Sequence, residues 1–181
     1  MRKMKSFITL FGVVILLLFI GHSALGKEGK QFMNKEGYYE ITGAKITLEW
    51  KIDGPDLEVI LTAPTRGWVA VGFDPSSLMK DANLIIGYVK GDETFVRDDF
   101  GNYFTSHVSD ESLGGSNDVV IKEGVEKKKE TKIAFIIPLN SGDKYDKVLE
   151  AGKSYTVLLA YGDVDKFDVR HRKRTKVEIT L

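Results

Sequence analysis

The residues able to hold a transition metal are few. Histidine occurs at His22, His107 and His171, and beyond residue 26 methionine occurs only at Met33 and Met79. Cysteine is absent, which excludes disulfides, thiolate metal sites, iron–sulfur clusters and covalent C-x-x-C-H haem attachment. No G-x-S-x-G elbow, phosphate-binding Gly-Lys-Ser or Gly-Lys-Thr loop, or H-E-x-x-H zinc helix is present, so no catalytic set is visible. Gly162 to Asp168 (GDVDKFD) has the look of a calcium loop. Counting from Asp163, however, position six is Asp168 rather than Gly, and position twelve is Arg174 rather than the bidentate Glu of an EF-hand. His171 lies in the basic run Arg170 to Arg174 (RHRKR), which by charge alone reads as a strand edge guarded against pairing. Nothing aromatic is interleaved there to stack nucleic-acid bases. Met79 sits in the polar connection Asp74 to Asp81 rather than inside a strand, where a gap-filling core Met would lie.

The elements that position these residues read as strands. From Glu40 onward, segments rich in Val, Ile, Thr and aromatics alternate with Gly, Pro, Asp, Asn and Ser clusters. Strands are expected at 44–52, 57–63, 68–73, 84–90, 94–98, 118–122, 132–138, 154–161 and 175–181. About nine strands suggest an all-β, two-sheet antiparallel sandwich. Ile46, Leu48 and Trp50 alternate with Thr47, Glu49 and Lys51, as a strand with one buried face requires. Ala134 to Ile137 and Val157 to Ala160 are apolar throughout, which suits central strands covered on both faces, with a binding pocket as a candidate for the second cover. Two longer stretches, 100–117 and 140–152, break the rhythm. The second has the residues for a short helix at 147–150, and 123–130 reads as a solvated hairpin tip.

The chain has 181 residues, 43% hydrophobic and 29% charged, which suits one domain with a core large enough to need no cross-link. Residues 1–26 read as an export signal with Arg2, Lys3 and Lys5 ahead of an apolar run from Phe7 to Ile20 and small residues at the cleavage point. As a helix that run spans about 21 Å. This is short of the about 30 Å hydrocarbon core, which favours cleavage over retention as a membrane anchor. Residues 27–39 form a lead-in and 40–181 the domain, which faces the outside of the cytoplasmic membrane. Removing three of the 26 bases leaves the 26 acids in slight excess, so no global basic field attracts nucleic acid or anionic lipid.

Gly67 to Phe73 (GWVAVGF), the following Met79, Ala82 to Tyr88 (ANLIIGY) and Phe95 to Phe100 (FVRDDF) together resemble the DOMON family, the dopamine β-monooxygenase N-terminal-like domains. The resemblance continues through Leu158 to Asp163 into His171, from about Ala44 to Leu181. It implies an immunoglobulin-like β-sandwich that binds haem b or sugars outside the cytoplasm. The haem-binding branch, similar to the cytochrome domain of cellobiose dehydrogenase, uses a loop Met and a His near the C-terminal strands as axial ligands; the matching positions are Met79 and His171. Asn83, where many relatives carry an acid, and Lys80-Asp81 depart from the pattern. With both axial positions filled, such a site would pass single electrons to or from a redox partner protein rather than activate oxygen. Trp68, Phe73, Ile85, Tyr88 and Leu159 are candidates to cover the haem, and Arg170, Arg172 or Lys80 to pair with its propionates. Loops at one end of the sandwich would grip the haem if strands 68–73 and 154–161 ran parallel. His107 with His171 is the variant ligand pair. A carbohydrate-binding module using Tyr103, Phe104 and Tyr161 as stacking platforms is the alternative function.

Overall fold

The computed structural model describes residues 29–181; the expected export signal lies outside the described residues. Two six-stranded antiparallel sheets form the domain. The first contains β1 (Phe32–Met33), β2 (Tyr39–Gly43), β3 (Ile46–Asp53), β4 (Asp56–Ala63), β9 (Val120–Lys127) and β10 (Glu130–Pro138), in the order β1-β2-β3-β4-β10-β9. The second contains β5 (Val69–Phe73), β6 (Asn83–Lys90), β7 (Glu93–Tyr103), β8 (Ser106–Ser109), β11 (Ser154–Tyr161) and β12 (Lys173–Thr180), in the order β12-β11-β5-β6-β7-β8.

The core lies between the sheets and follows strand parity. Ile46, Leu48 and Trp50 of β3, Leu57, Val59 and Leu61 of β4, and Ile133, Phe135 and Ile137 of β10 point inward from the first sheet. Val69, Val71 and Phe73 of β5, Ile85 of β6, Val157 and Leu159 of β11, and Val177 and Ile179 of β12 meet them from the second. At about 25 cal/mol per Å² of apolar surface, this burial is the main force holding the two sheets together.

All nine expected strands are present, and three more join them. β1 is only two residues long, and β8 (SHVS) is too polar to declare itself by hydrophobicity. The 147–150 helix is absent. Its Leu149 is buried in the core and its backbone N–H donates to Leu139, so tertiary packing overrides the local helix preference. The one helical turn among the described residues is a 3-10 turn at Asp110–Leu113. Most of 123–130 is strand, and the tip is only Lys128 and Lys129, both at positive φ.

The candidate functional site: a cleft on the outer face of the second sheet

The second sheet is apolar on both faces. Opposite the core, Trp68, Ala70 and Ile86 form a separate buried cluster, joined by Tyr88, Ala160 and Phe167. Leu84 and Leu158 extend the same face. Small side chains at its centre, Ala70, Gly72 and Ala160, leave a low floor between larger neighbours. At Gly72 a Cβ would stand 2.5 Å from the Leu84 side chain, so a larger residue would force that leucine to move. Above this floor lies a cleft of about 1120 Å³, slightly above the about 300–1,000 Å³ usual for cofactor and small-molecule sites.

Three connections wall the cleft: the β5–β6 loop with Pro75 to Met79, the β7–β8 turn with Thr105 to His107, and the β11–β12 loop with Asp168 to His171. Met79 and His171 line it together, with Trp68 and Arg170. The strands beneath do not run parallel. β5 pairs directly with β11 in antiparallel register, Phe73 opposite Val157 and Val69 opposite Tyr161. The two loops therefore leave the sheet at opposite ends and converge over its outer face, instead of clustering at one end of the sandwich.

The Met79 loop is held by its backbone. Met79 N–H donates to the Phe104 carbonyl at 3.2 Å, Ala82 N–H to Met79 at 3.1 Å, and Asp81 N–H to Gly101 at 2.7 Å. Leu78 stands at φ 54° and Asp81 at φ 61°, a left-handed conformation that costs a non-glycine residue about 1–2 kcal/mol. Loop hydrogen bonds offset that strain next to the residue with the best credentials as a ligand.

On the opposite wall, burial lowers the His171 pKa, and Arg174 and Arg170 lower it further. That favours the neutral imidazole, the form that ligates metal. His107 belongs to the cleft as well. Its Nδ1 bonds to the Asp99 carboxylate, which is fully buried and also takes Arg97 Nη2 at 2.7 Å. Burial would raise Asp99, but the hydrogen bonds from His107 and Arg97, with the Arg97 charge, outweigh it and hold its pKa below the ordinary carboxylate range. Arg97 continues to Asp168 at 3.1 Å and lies over the Phe167 ring, tying the β11–β12 loop to β7.

Other candidates fall elsewhere. Phe73 and Ile85 are 1% exposed in the inter-sheet core, because their strand parity turns them away from the cleft floor, and Leu159 packs into the same core while also bordering the cleft. Tyr88 shares the outer face but stacks between Phe95 and Phe167, beyond the cleft. Arg172 is engaged by Asp163 at 3.0 Å, and Lys80 lies 6.0 Å over the Phe104 ring. Arg174 and Lys176 of β12 line the cleft instead; the run Arg170 to Arg174, expected to guard a strand edge, thus contributes Arg170, His171 and Arg174 to the cleft. Tyr161 is buried in the core and offers no stacking platform; Tyr103 and Phe104 are exposed, packed edge to face.

The fold is a two-sheet antiparallel β-sandwich with an apolar, loop-walled cleft on the outer face of one sheet. The DOMON domain family model matches residues 42–162, and the chain belongs to that family. It is 25% identical over 154 residues to DBH-like monooxygenase protein 1 of Mus musculus, a match covering 82% of this chain but only 23% of that protein. Its fold is similar to the cytochrome b domain of pyranose dehydrogenase from Coprinopsis cinerea, with a TM-score of 0.61 and 11% identity over 83% of this chain and 86% of that one. It is also similar to the cytochrome domain of Myriococcum thermophilum cellobiose dehydrogenase, with a TM-score of 0.57 and 10% identity over 84% and 88% of the two chains. Among the described residues no helix is long and apolar enough to cross a membrane.

Proposed function

We propose that this chain is an exported b-type cytochrome domain that binds haem b non-covalently in the cleft, with Met79 and His171 as axial ligands, and exchanges single electrons with a redox partner protein. One observation carries the reading: a thioether and an imidazole far apart in sequence line one apolar cleft on opposite walls. The low floor of Ala70, Gly72 and Ala160 suits the face of a flat macrocycle, and Trp68, Leu84, Ile86 and Leu158 exclude water around it. Arg170 and Arg174, with Lys176, supply cations for the propionates. Bound there, haem would supply a one-electron couple, and thioether ligation would favour the ferrous state. The chain's own part is to hold the two ligands on anchored loops, keep His171 neutral and exclude solvent. It acts as an electron-transfer domain rather than as an enzyme.

The test is an absorption spectrum of protein exported from haem-replete cells, oxidised and then dithionite-reduced, beside Met79→Ala and His171→Ala. The expected result is a Soret band with sharp reduced α and β bands, degraded in both variants. A colourless protein that also fails haem titration would remove haem from the reading.

A second reading of the ligands rests on His107. Its Nδ1 is engaged by Asp99, the carboxylate–histidine arrangement common behind metal ligands. If His107 and His171 are the pair, Met79→Ala keeps its spectrum and His107→Ala loses it. For a carbohydrate-binding module, Tyr103 and Phe104 remain the exposed aromatic pair, and glycan-dependent fluorescence without a chromophore would favour it.

A further inference from the structure

On the other side of the second sheet from the cleft, strand parity turns Asp98 inward where its neighbour Asp99 turns outward. Asp98 meets Asp110 of the 3-10 turn and Asp146 of the 140–152 loop, and one carboxylate oxygen from each lies within 4.8 Å of the others. Asp98 is 2% exposed and Asp110 1%. No lysine or arginine is ion-paired with any of the three among the described residues.

A second set of observations points to a ligand. Both carboxylate oxygens of Asp110 are buried with no hydrogen-bond partner, as is Oδ1 of Asp98. Asn83, 4% exposed, donates its Nδ2 to Asp146 at 2.8 Å, while Oδ1 of the same amide is buried without a partner beside the cluster. Leaving such acceptors dry and unpaired costs about 1–3 kcal/mol each, more for a charged group. Three carboxylates converging in this way, Asp98 and Asp110 buried and Asp146 half-buried, supply the hard oxygen donors that a divalent cation takes.

We propose that Asp98, Asp110 and Asp146 bind one calcium ion, which staples the 100–117 and 140–152 segments to β7, with Asn83 holding the Asp146 carboxylate in place. Calcium takes oxygen ligands at about 2.3–2.6 Å, so opposite ligands stand about 4.6–5.2 Å apart. Oxygens within 4.8 Å of one another lie inside that span, and calcium tolerates about six to eight ligands in irregular geometry where magnesium demands a near-ideal octahedron, so a set drawn from three separate segments suits calcium. Electrostatics agree. Burial and the carboxylates of Asp146 and Asp110 push Asp98 up to about 8, and burial with Asp146 and Asp143 pushes Asp110 up to about 7. A divalent cation is the partner that lets all three ionise at neutral pH. The site is independent of the haem reading, because it uses none of the cleft residues.

The test uses the purified, EDTA-treated protein, whether or not it carries haem. Wild-type protein is titrated with calcium chloride and with magnesium chloride by calorimetry, and melted in each. Terbium luminescence, sensitised through the neighbouring Tyr145, is a direct probe of occupancy. Calcium is expected to bind at one site and raise Tm by several degrees, with magnesium giving a smaller shift. In Asp110→Asn and Asp98→Asn the calcium shift and the terbium signal are lost, while the EDTA-treated variants melt at or above the wild-type temperature, since each removes a buried acid. Wild-type protein with no binding heat, no Tm shift and no terbium signal overturns the proposal. So do variants that retain the calcium response, and a magnesium shift equal to that of calcium overturns the choice of ion.

Discussion

Gly101 is the residue on which the Met79 loop depends. A Cβ there would fall 1.7 Å from the Met79 carbonyl oxygen and 3.2 Å from the Ala82 nitrogen, backbone atoms that cannot swing aside as a side chain would. Gly101→Ala is therefore expected to push the loop off β7, costing about 2–3 kcal/mol of stability and weakening haem binding in the same variant. Urea denaturation and haem titration check it; wild-type values in both would mean the loop is not seated as described. Residue types single out Met79, His171, Trp68 and Arg170, which the structure places along one cleft, because they are scarce, or bulky, or charged beside a scarce histidine. Phe73 and Ile85 have the size to cover a haem, but parity turns both into the core. Ala70 and Gly72 of β5, with Trp68 just before it, share one face, and Phe73 must then face the core. The buried acids were illegible for a related reason: Asp98 and Asp99 are adjacent, and only the pairing of β7 shows that they serve opposite sides of a sheet.

Among the elements, the β9–β10 hairpin carries an avoidable strain. Lys128 at φ 53° and Lys129 at φ 68° occupy the two central positions of a tight turn, where Asn followed by Gly is favoured because both residues must take positive φ. The double substitution Lys128→Asn with Lys129→Gly is expected to stabilise the domain by about 1 kcal/mol. In a domain of this size that raises Tm by about 2–4 °C. A thermal melt that fell instead would show the lysines contributing contacts that outweigh the turn geometry. Period-two patterning made β3, β4 and β10 readable, since each has one face in the core. It could not reveal β1, with both residues exposed, or the true fate of 147–150, where one buried leucine decides the conformation.

At the scale of the molecule, the segment before β2 joins the two sheets. The Gln31 side chain exchanges two hydrogen bonds with the Thr180 backbone on β12, at 2.9 and 2.8 Å, while Asn34 reaches Glu49 at 2.7 Å. Tyr38 donates to Glu58 at 2.5 Å, which lowers the Glu58 pKa, helped by Lys51, and raises that of Tyr38 to about 12. The signs differ. Glu58, depressed, contributes stability above its unfolded value near about 4.3 and loses it as pH falls through the folded value. Tyr38, raised, contributes below its unfolded value near about 10 and loses it as pH climbs towards 12. Tyr38→Phe should therefore cost about 1 kcal/mol between those limits, with the deficit shrinking at both extremes. Guanidinium denaturation at acidic, neutral and alkaline pH measures it, and a deficit constant with pH would contradict the assignment.

The antiparallel register of β5 and β11 also works as a ruler. Five residue pairs, from Val69–Tyr161 to Phe73–Val157, separate the points where the loops carrying Met79 and His171 depart. At about 3.4 Å per residue, those four steps fix a span of about 14 Å. The distance is written in hydrogen-bonded sheet, the stiffest part of the molecule, and not in the loops themselves. Changes of loop sequence can thus retune the chemistry at either jaw while the gauge of the opening is inherited unchanged.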